Sequence, residues 1–307
     1  MSGGQATARR TRPDRGAEHE LTIESLAHGG AGVARLEGYV LFVQGGVPGD
    51  RVRAVVTKTK RDYGEARTLE VLEPGPDRIE PRAAHPGAPW QVLRYDAQLR
   101  DKEAQVRDAL ERIGHFEGPP VEPIVPAVAE WRYRNKLEYS FGTGEDGELV
   151  LGFHRPGRWY EVDDVSDDIL ASERVDDVRE RAKAWLREEG LSPYDRRDQA
   201  GFLRNLVVRE GRRTGQVQAR LVTSPGDFRA EDFAAEIGAD GVLWTVSDSM
   251  AETTREGDTR LLRGQDTIEE RLEVHGDGLR FRISPEAFFQ TNTEMAEVLY
   301  GAAVEMA

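Results

Sequence analysis

His28-Gly29-Gly30-Ala31-Gly32-Val33-Ala34-Arg35 opens a run that continues through Tyr39-Val40-Leu41-Phe42-Val43, turns at Gly45-Gly46-Val47-Pro48-Gly49-Asp50 and re-enters as Arg51-Val52-Arg53-Ala54-Val55-Val56. Short alternating runs separated by glycine turns read as strands. With Leu21-Thr22-Ile23 before them and a further run over 65–72, they predict a small β-barrel, a shape that often binds single-stranded nucleic acid. The Gly29-Gly30-x-Gly32 run lies between strands with no helix after it, so it is not a phosphate loop. Between Arg51 and Arg67 six basic residues face two acids, Asp62 and Glu65. Arg51, Lys58, Lys60 and Arg61, with Tyr63 able to stack on a base, are therefore candidate RNA contacts; an ordinary charged strand edge has the same composition.

Composition bounds the rest. The chain has 307 residues, enough for two or three cores, with 38% hydrophobic and 32% charged residues. No run reaches the length of a membrane span, and the polar, arginine-bearing first residues do not form a secretory signal. A disordered tail over 1–18, a cytoplasmic location and a monomer are expected. The net charge of −14 argues against a generic nucleic-acid binder, although it is unevenly spread, with acids crowded between Glu161 and Glu189. Cysteine is absent, which excludes disulfides, thiolate zinc sites, cysteine-ligated iron–sulfur clusters and a cysteine nucleophile within these residues. The six histidines show no metal-ligand spacing, and no metal site is expected.

The barrel run, with Phe42-Val43 and Val47-Pro48-Gly49-Asp50-Arg51-Val52, resembles the TRAM domain, a small RNA-binding barrel. The resemblance continues to Ala307 in the RNA (uracil-5)-methyltransferases that carry this domain. Many members have a cysteine-rich loop for a four-iron cluster where this chain has residues 79–91; here Pro81 and Trp90-Gln91 remain without cysteine. Asp168 stands near the place of a fourth cysteine, so no iron–sulfur cluster is expected.

Downstream, residues 95–116 form an apolar stripe stopped by Gly114. By resemblance this helix packs against the methyltransferase domain. Residues 131–142 alternate like a strand, with Arg132, Arg134, Lys136 and Glu138 on one face. The Tyr133-Arg134-Asn135-Lys136 run matches the family's central domain, which makes Arg132, Arg134 and Lys136 further candidate RNA contacts; a solvated hairpin face would look the same. A turn at 144–147, a helix over 172–190 and a hairpin over 202–222 follow. Within that hairpin Arg204-Asn205-Leu206-Val207-Val208-Arg209 matches the family again.

Phe281-Arg282-Ile283-Ser284-Pro285-Glu286-Ala287-Phe288-Phe289-Gln290-Thr291-Asn292 closes the chain's pattern: a strand broken at Ser284-Pro285, then a Thr291-x-x-Glu294 capping box and a helix. Local chemistry alone reads it as a capped corner, and the Gln290 amide there can also serve a small polar ligand. Phe288-Phe289-Gln290-Thr291-Asn292 resembles the motif that opens the family's cofactor domain, which implies that Gln290 contacts S-adenosyl-L-methionine. In the family a cysteine adds to C6 of uracil, C5 takes the methyl group and a base removes the C5 proton. The glycine-rich cofactor loop, that cysteine and that base would all lie beyond Ala307, so no catalytic residue is expected in this chain and its cofactor site is incomplete.

The expected fold is α+β and multidomain: a tail over 1–18, a TRAM barrel over 19–76, and a central α+β domain over 77–92 and 123–280. Residues 93–122 and 281–307 would begin an α/β Rossmann-like methyltransferase domain. The expected function is methylation of a uridine C5 in RNA, ribosomal rather than transfer RNA, by a chain truncated before its catalytic core and inactive alone. A non-catalytic RNA-binding protein is the alternative.

Overall fold

The computed structural model describes residues 11–155, 157–249, 254 and 256–307. By contact density the chain divides into two units, Met1–Ala84 with Ala88–Pro126, and His85–Gly87 with Ala127–Ala307.

The first unit is built on one sheet of six strands: β1 Glu18–Thr22, β2 Ser25–Leu26, β3 Gly32–Leu36, β4 Tyr39–Gln44, β5 Arg51–Thr59 and β6 Tyr63–Glu73. Their order is β1-β5-β6-β4-β3-β2. The two outermost strands, β1 and β2, are separated in sequence by only Ile23 and Glu24, so the sheet curls until its ends meet. Alternation decides the inside: Tyr39, Leu41 and Val43 of β4 and Val52, Ala54 and Val56 of β5 point into one core with Leu21, Ile23, Ala34 and Ala66. The Val47–Asp50 turn is fixed by Asp50, which is buried. Its carboxylate accepts from Val47 N–H and Gly75 N–H (both 2.8 Å) and from the Arg78 guanidinium at 2.7 Å.

Ordering starts earlier than expected, because Gly16 N–H donates to Val56 O and Ala17 O accepts from Val56 N–H. The first ten residues of the expected tail lie outside the described residues. Helix α1 spans Tyr95–Asp108, and its last turn widens through Ile113 before Gly114. Of its apolar stripe only Ala97 is buried, packing with Leu93 against Leu26 and Val47 of the barrel. Its buried contact among the described residues is thus with the barrel, and Val106, Ile113 and Phe116 stay exposed.

The second unit holds a seven-stranded sheet: β7 Lys136–Thr143, β8 Leu149–Arg155, β9 Arg158–Asp164, β10 Leu203–Glu210, β11 Val217–Thr223, β12 Gly241–Val246 and β13 Asp258–Arg263. The order is β13-β12-β11-β10-β7-β8-β9, antiparallel except for β11 beside β12. Helices α2 Glu173–Glu188 and α3 Ala230–Glu236 cover one face, where Leu137, Tyr139, Leu206, Val208, Ala219 and Leu221 meet Val175, Val178, Leu186 and Phe233. Ser172 caps α2 by accepting from Val175 N–H. A hairpin of β14 Ile268–Val274 and β15 Asp277–Ile283 follows, then α4 Thr293–Met306, which packs on β14.

Strand β9 has no counterpart in the sequence reading, and β7 begins at Lys136 rather than at 131 because Arg132 sits at φ 53°. The division into units also differs from the expected domains, grouping 93–126 with the barrel and 281–307 with the large sheet. Among the described residues no helix is long and apolar enough to cross a membrane.

Candidate functional site

The Tyr133–Lys136 run and the Phe288–Asn292 run, far apart in sequence, meet on the second unit. Asn135, buried at the mouth of β7, uses both amide hydrogens on the other run: Nδ2 donates to Gln290 O at 2.8 Å and to Thr293 Oγ1 at 2.9 Å. Its backbone N–H donates to Thr291 O at 2.9 Å, and its carbonyl accepts from Glu210 N–H. Thr293 Oγ1 donates in turn to Glu270 Oε2 at 3.0 Å, and Glu270, 1% exposed, also accepts from the backbone of Arg212 and Arg213. The backbone around residue 290 is thereby fixed, while the half-buried Gln290 side chain has no partner among the described residues.

The cap expected from Thr291 and Glu294 is formed differently. Asn292 Oδ1 accepts from Met295 N–H at 3.0 Å, because the Thr291 carbonyl and backbone are held against Asn135. Glu294 turns to Arg212, 3.3 Å away.

Beneath the 284–292 segment lie two buried arginines on neighbouring strands, Arg209 of β10 and Arg220 of β11. Arg209 donates to Ala287 O at 2.8 Å, and Arg220 lies 3.5 Å from Glu286. Nε and Nη1 of Arg209 and Nε of Arg220 have no hydrogen-bond acceptor among the described residues. Burial first, then the charge of Arg220, push the Arg209 guanidinium down to about 10, with Glu138 opposing. Arg220 is lowered by burial as well. This is a positive field held under the segment that carries Gln290.

The other predicted RNA contacts are dispersed. Arg132 is tied down, donating to Ala171 O and to Asp167 at 2.8 Å. Arg134 Nε donates to Lys136 O, and Lys136 is paired with Glu138 at 2.5 Å. Arg134, Lys136, Glu138 and Thr291 share a cavity of about 550 Å³ with His85 and His154, so the run does border an open space. On the barrel, Arg51 is paired with both Glu20 and Glu73, and Lys58 with Glu65. The excess of positive charge counted along the sequence is therefore neutralised across strands. Lys60 and Arg61 remain exposed with no side-chain partner among the described residues, and Tyr63 packs edge-on against Phe42 at 5.5 Å.

His85 is a buried structural group. Gly87 N–H donates to its Nδ1, which leaves Nε2 to donate to Asp168 Oδ1 at 3.0 Å, while Tyr139 OH donates to Oδ2 at 2.8 Å. Burial tends to raise Asp168, but these donors and Leu170 N–H hold it below the usual carboxylate range. Burial and the Asp168 charge push Tyr139 well above its ordinary value. Among the described residues no group of three histidines or carboxylates is placed to hold a metal. The sequence reading found neither this triad, the Asp50–Arg78 pair nor the Arg209–Arg220 pair; the matches to Arg204–Arg209 and Val47–Asp50 were the available signals.

Residues 14–69 match the model of the TRAM domain. An uncharacterized RNA methyltransferase of Halalkalibacterium halodurans is 35% identical over 300 residues, covering 94% of this chain and 64% of its relative. One from Gloeobacter violaceus is 38% identical over 290 residues, with 91% and 62% covered. The chain is thus similar over nearly its whole length to RNA methyltransferases, and its N-terminal part matches the TRAM domain. It spans just under two thirds of the length of these relatives. The crystal structure of Pyrococcus abyssi tRNA (uracil-54, C5)-methyltransferase in complex with S-adenosyl-L-homocysteine superposes with a TM-score of 0.75 at 27% identity, over 94% of this chain and 65% of that one. The fold is thus multidomain α+β, as expected.

Proposed function

We propose that this chain is the RNA-holding and donor-presenting portion of an enzyme that methylates C5 of a uridine in RNA. The donor is S-adenosyl-L-methionine, the substrate ribosomal RNA, and the enzyme a cytoplasmic monomer. The observation that carries the reading is the Asn135 clamp, which pins the backbone at residue 290 and leaves the Gln290 amide with a donor and an acceptor to offer. The fit is chemical: a fixed, half-buried amide suits the polar groups of a small nucleoside ligand. When bound, the donor supplies an electrophilic methyl group; Gln290 would orient it, and Asn135 would orient Gln290. No iron–sulfur cluster enters the proposal, because His85 and Asp168 satisfy each other.

Calorimetry on the whole protein with S-adenosyl-L-homocysteine tests this. Gln290→Ala should weaken binding roughly 5- to 10-fold, the equivalent of about one hydrogen bond, with no change in unfolding temperature. Unaltered affinity would reduce Gln290 to a turn residue and remove the main support for the reading.

A further inference from the structure

Strand β9 is the outermost strand of the seven-stranded sheet and carries two adjacent aromatics, Trp159 and Tyr160, that are 55% and 47% exposed. They stand edge to face at 5.8 Å. Exposed aromatics on a sheet edge lose the burial that normally retains them, so a role at the surface is indicated. They form one wall of a groove of about 270 Å³. The loop over 193–197 forms the other wall, and Ser140 and Asn205 lie at its floor.

The groove's chemistry is specific. The Arg196 guanidinium lies 5.8 Å from the Trp159 ring centre and that of Arg197 5.2 Å from Tyr160. Arg204 is stacked closely on Tyr194 at 3.9 Å and anchored to Ser224 Oγ and Ser249 O. Three arginines line the groove with two carboxylates, Glu161 and Asp195, and Asp195 is paired with Arg197 at 2.8 Å. The loop is held in shape by an Asp195–Ala200 bridge and by Gly201 at φ 109°, where a Cβ would strike the Pro193 carbonyl.

We propose that this groove takes one unpaired base of single-stranded RNA, stacked on Trp159 or Tyr160, with its backbone drawn to Arg196. The proposal rests on the RNA reading given above and adds a contact outside both the barrel and the residues around Gln290. Flat rings facing planar guanidinium groups suit a flat π-system. Asn205 at the floor spends its amide hydrogens on Tyr139 O and Ser140 Oγ, so the floor is a polar surface already held in shape. The volume is just under the roughly 300 Å³ at which drug-sized pockets begin, enough for a base and too small for a whole nucleoside cofactor.

The test is fluorescence anisotropy of the unaltered chain and its variants with a labelled oligouridine of about ten nucleotides, and with an abasic oligomer of the same length. Whichever of Trp159→Ala and Tyr160→Ala removes the stacking ring should weaken oligouridine binding roughly 5- to 100-fold, the range seen when a stacking aromatic is removed. Trp159→Phe should restore most of it, and the abasic oligomer should bind all variants alike. Thermal unfolding should be unchanged, since both rings are half exposed. If the chain binds RNA but the alanine variants bind it equally well, the groove is refuted and the RNA reading stands. Equal losses on the abasic oligomer refute stacking. If the unaltered chain binds no RNA at all, both readings fall.

Discussion

Replacing Asn135 by Leu should release the segment that carries Gln290. The side chain makes two hydrogen bonds, to Gln290 O and Thr293 Oγ1, each worth about 1 kcal/mol net. Leucine also leaves the Gln290 carbonyl without its donor in a largely buried place, which adds about 1–3 kcal/mol. Thr293 keeps its bond to Glu270, so the loss stays local. The sum is roughly 3–5 kcal/mol, or a fall in unfolding temperature of about 6–20 °C for a unit of this size. Hydrogen exchange of amides 287–296 should speed up by about 100-fold or more, since 1.4 kcal/mol is a factor of ten. Asn135→Asp is the sharper variant: its carboxylate faces two acceptors, so it should be worse than leucine at neutral pH and recover on acidification as it regains a proton to donate. If exchange over 287–296 and the unfolding midpoint are unchanged in Asn135→Leu, the clamp is not what fixes the segment.

Asp50→Ala should cost about 3–5 kcal/mol by leaving Arg78 beside a buried gap in the Val47–Asp50 turn, read by urea unfolding of the barrel signal. A loss below about 1 kcal/mol, the size of an exposed pair, would show the interaction to be incidental. Tyr139→Phe should change the alkaline side of the stability curve. Its folded pKa is above the unfolded value of about 10, so the tyrosine contributes stability below that pH which is lost as pH rises further. The phenylalanine variant should lack that alkaline fall and be less stable at neutral pH, where Asp168 Oδ2 is left one donor short; an unaltered alkaline limb would contradict this. Lys60→Ala with Arg61→Ala should lower the salt slope of RNA binding by about 0.7 for each phosphate of a single strand that is no longer neutralised. Arg51→Ala should change that slope less, because two glutamates already neutralise the arginine. Equal effects from both would mean that cross-strand pairing does not govern the face.

What could be read from the chain followed burial. Tyr39, Leu41 and Val43, or Leu206 and Val208, alternate because one side of their strands meets a core, and those strands were placed within a few residues. Strand β9 was missed for the converse reason: Arg158, Trp159 and Tyr160 are all exposed, so an edge strand without a core side leaves no period of two. Arg132 hid its left-handed backbone, since nothing in a neighbouring Trp131 or Tyr133 announces a positive φ. The basic face looked unbalanced because Glu18, Glu20, Glu70 and Glu73 become partners only through the register of β1, β5 and β6. The capping box failed by one residue because Asn135, more than 150 positions away, claims the Thr291 carbonyl. The motif around Gln290 was visible; the residue that holds it in place was visible only as part of another motif.

The central claim is that this chain serves methylation of uridine C5 in RNA. Mass-spectrometric mapping of 5-methyluridine in ribosomal and transfer RNA, from cells with the coding frame and cells without it, tests that most directly. The account predicts that one or a few 5-methyluridines disappear on deletion and return with the intact gene but not with its Gln290→Ala form. An unchanged 5-methyluridine map after deletion would contradict it.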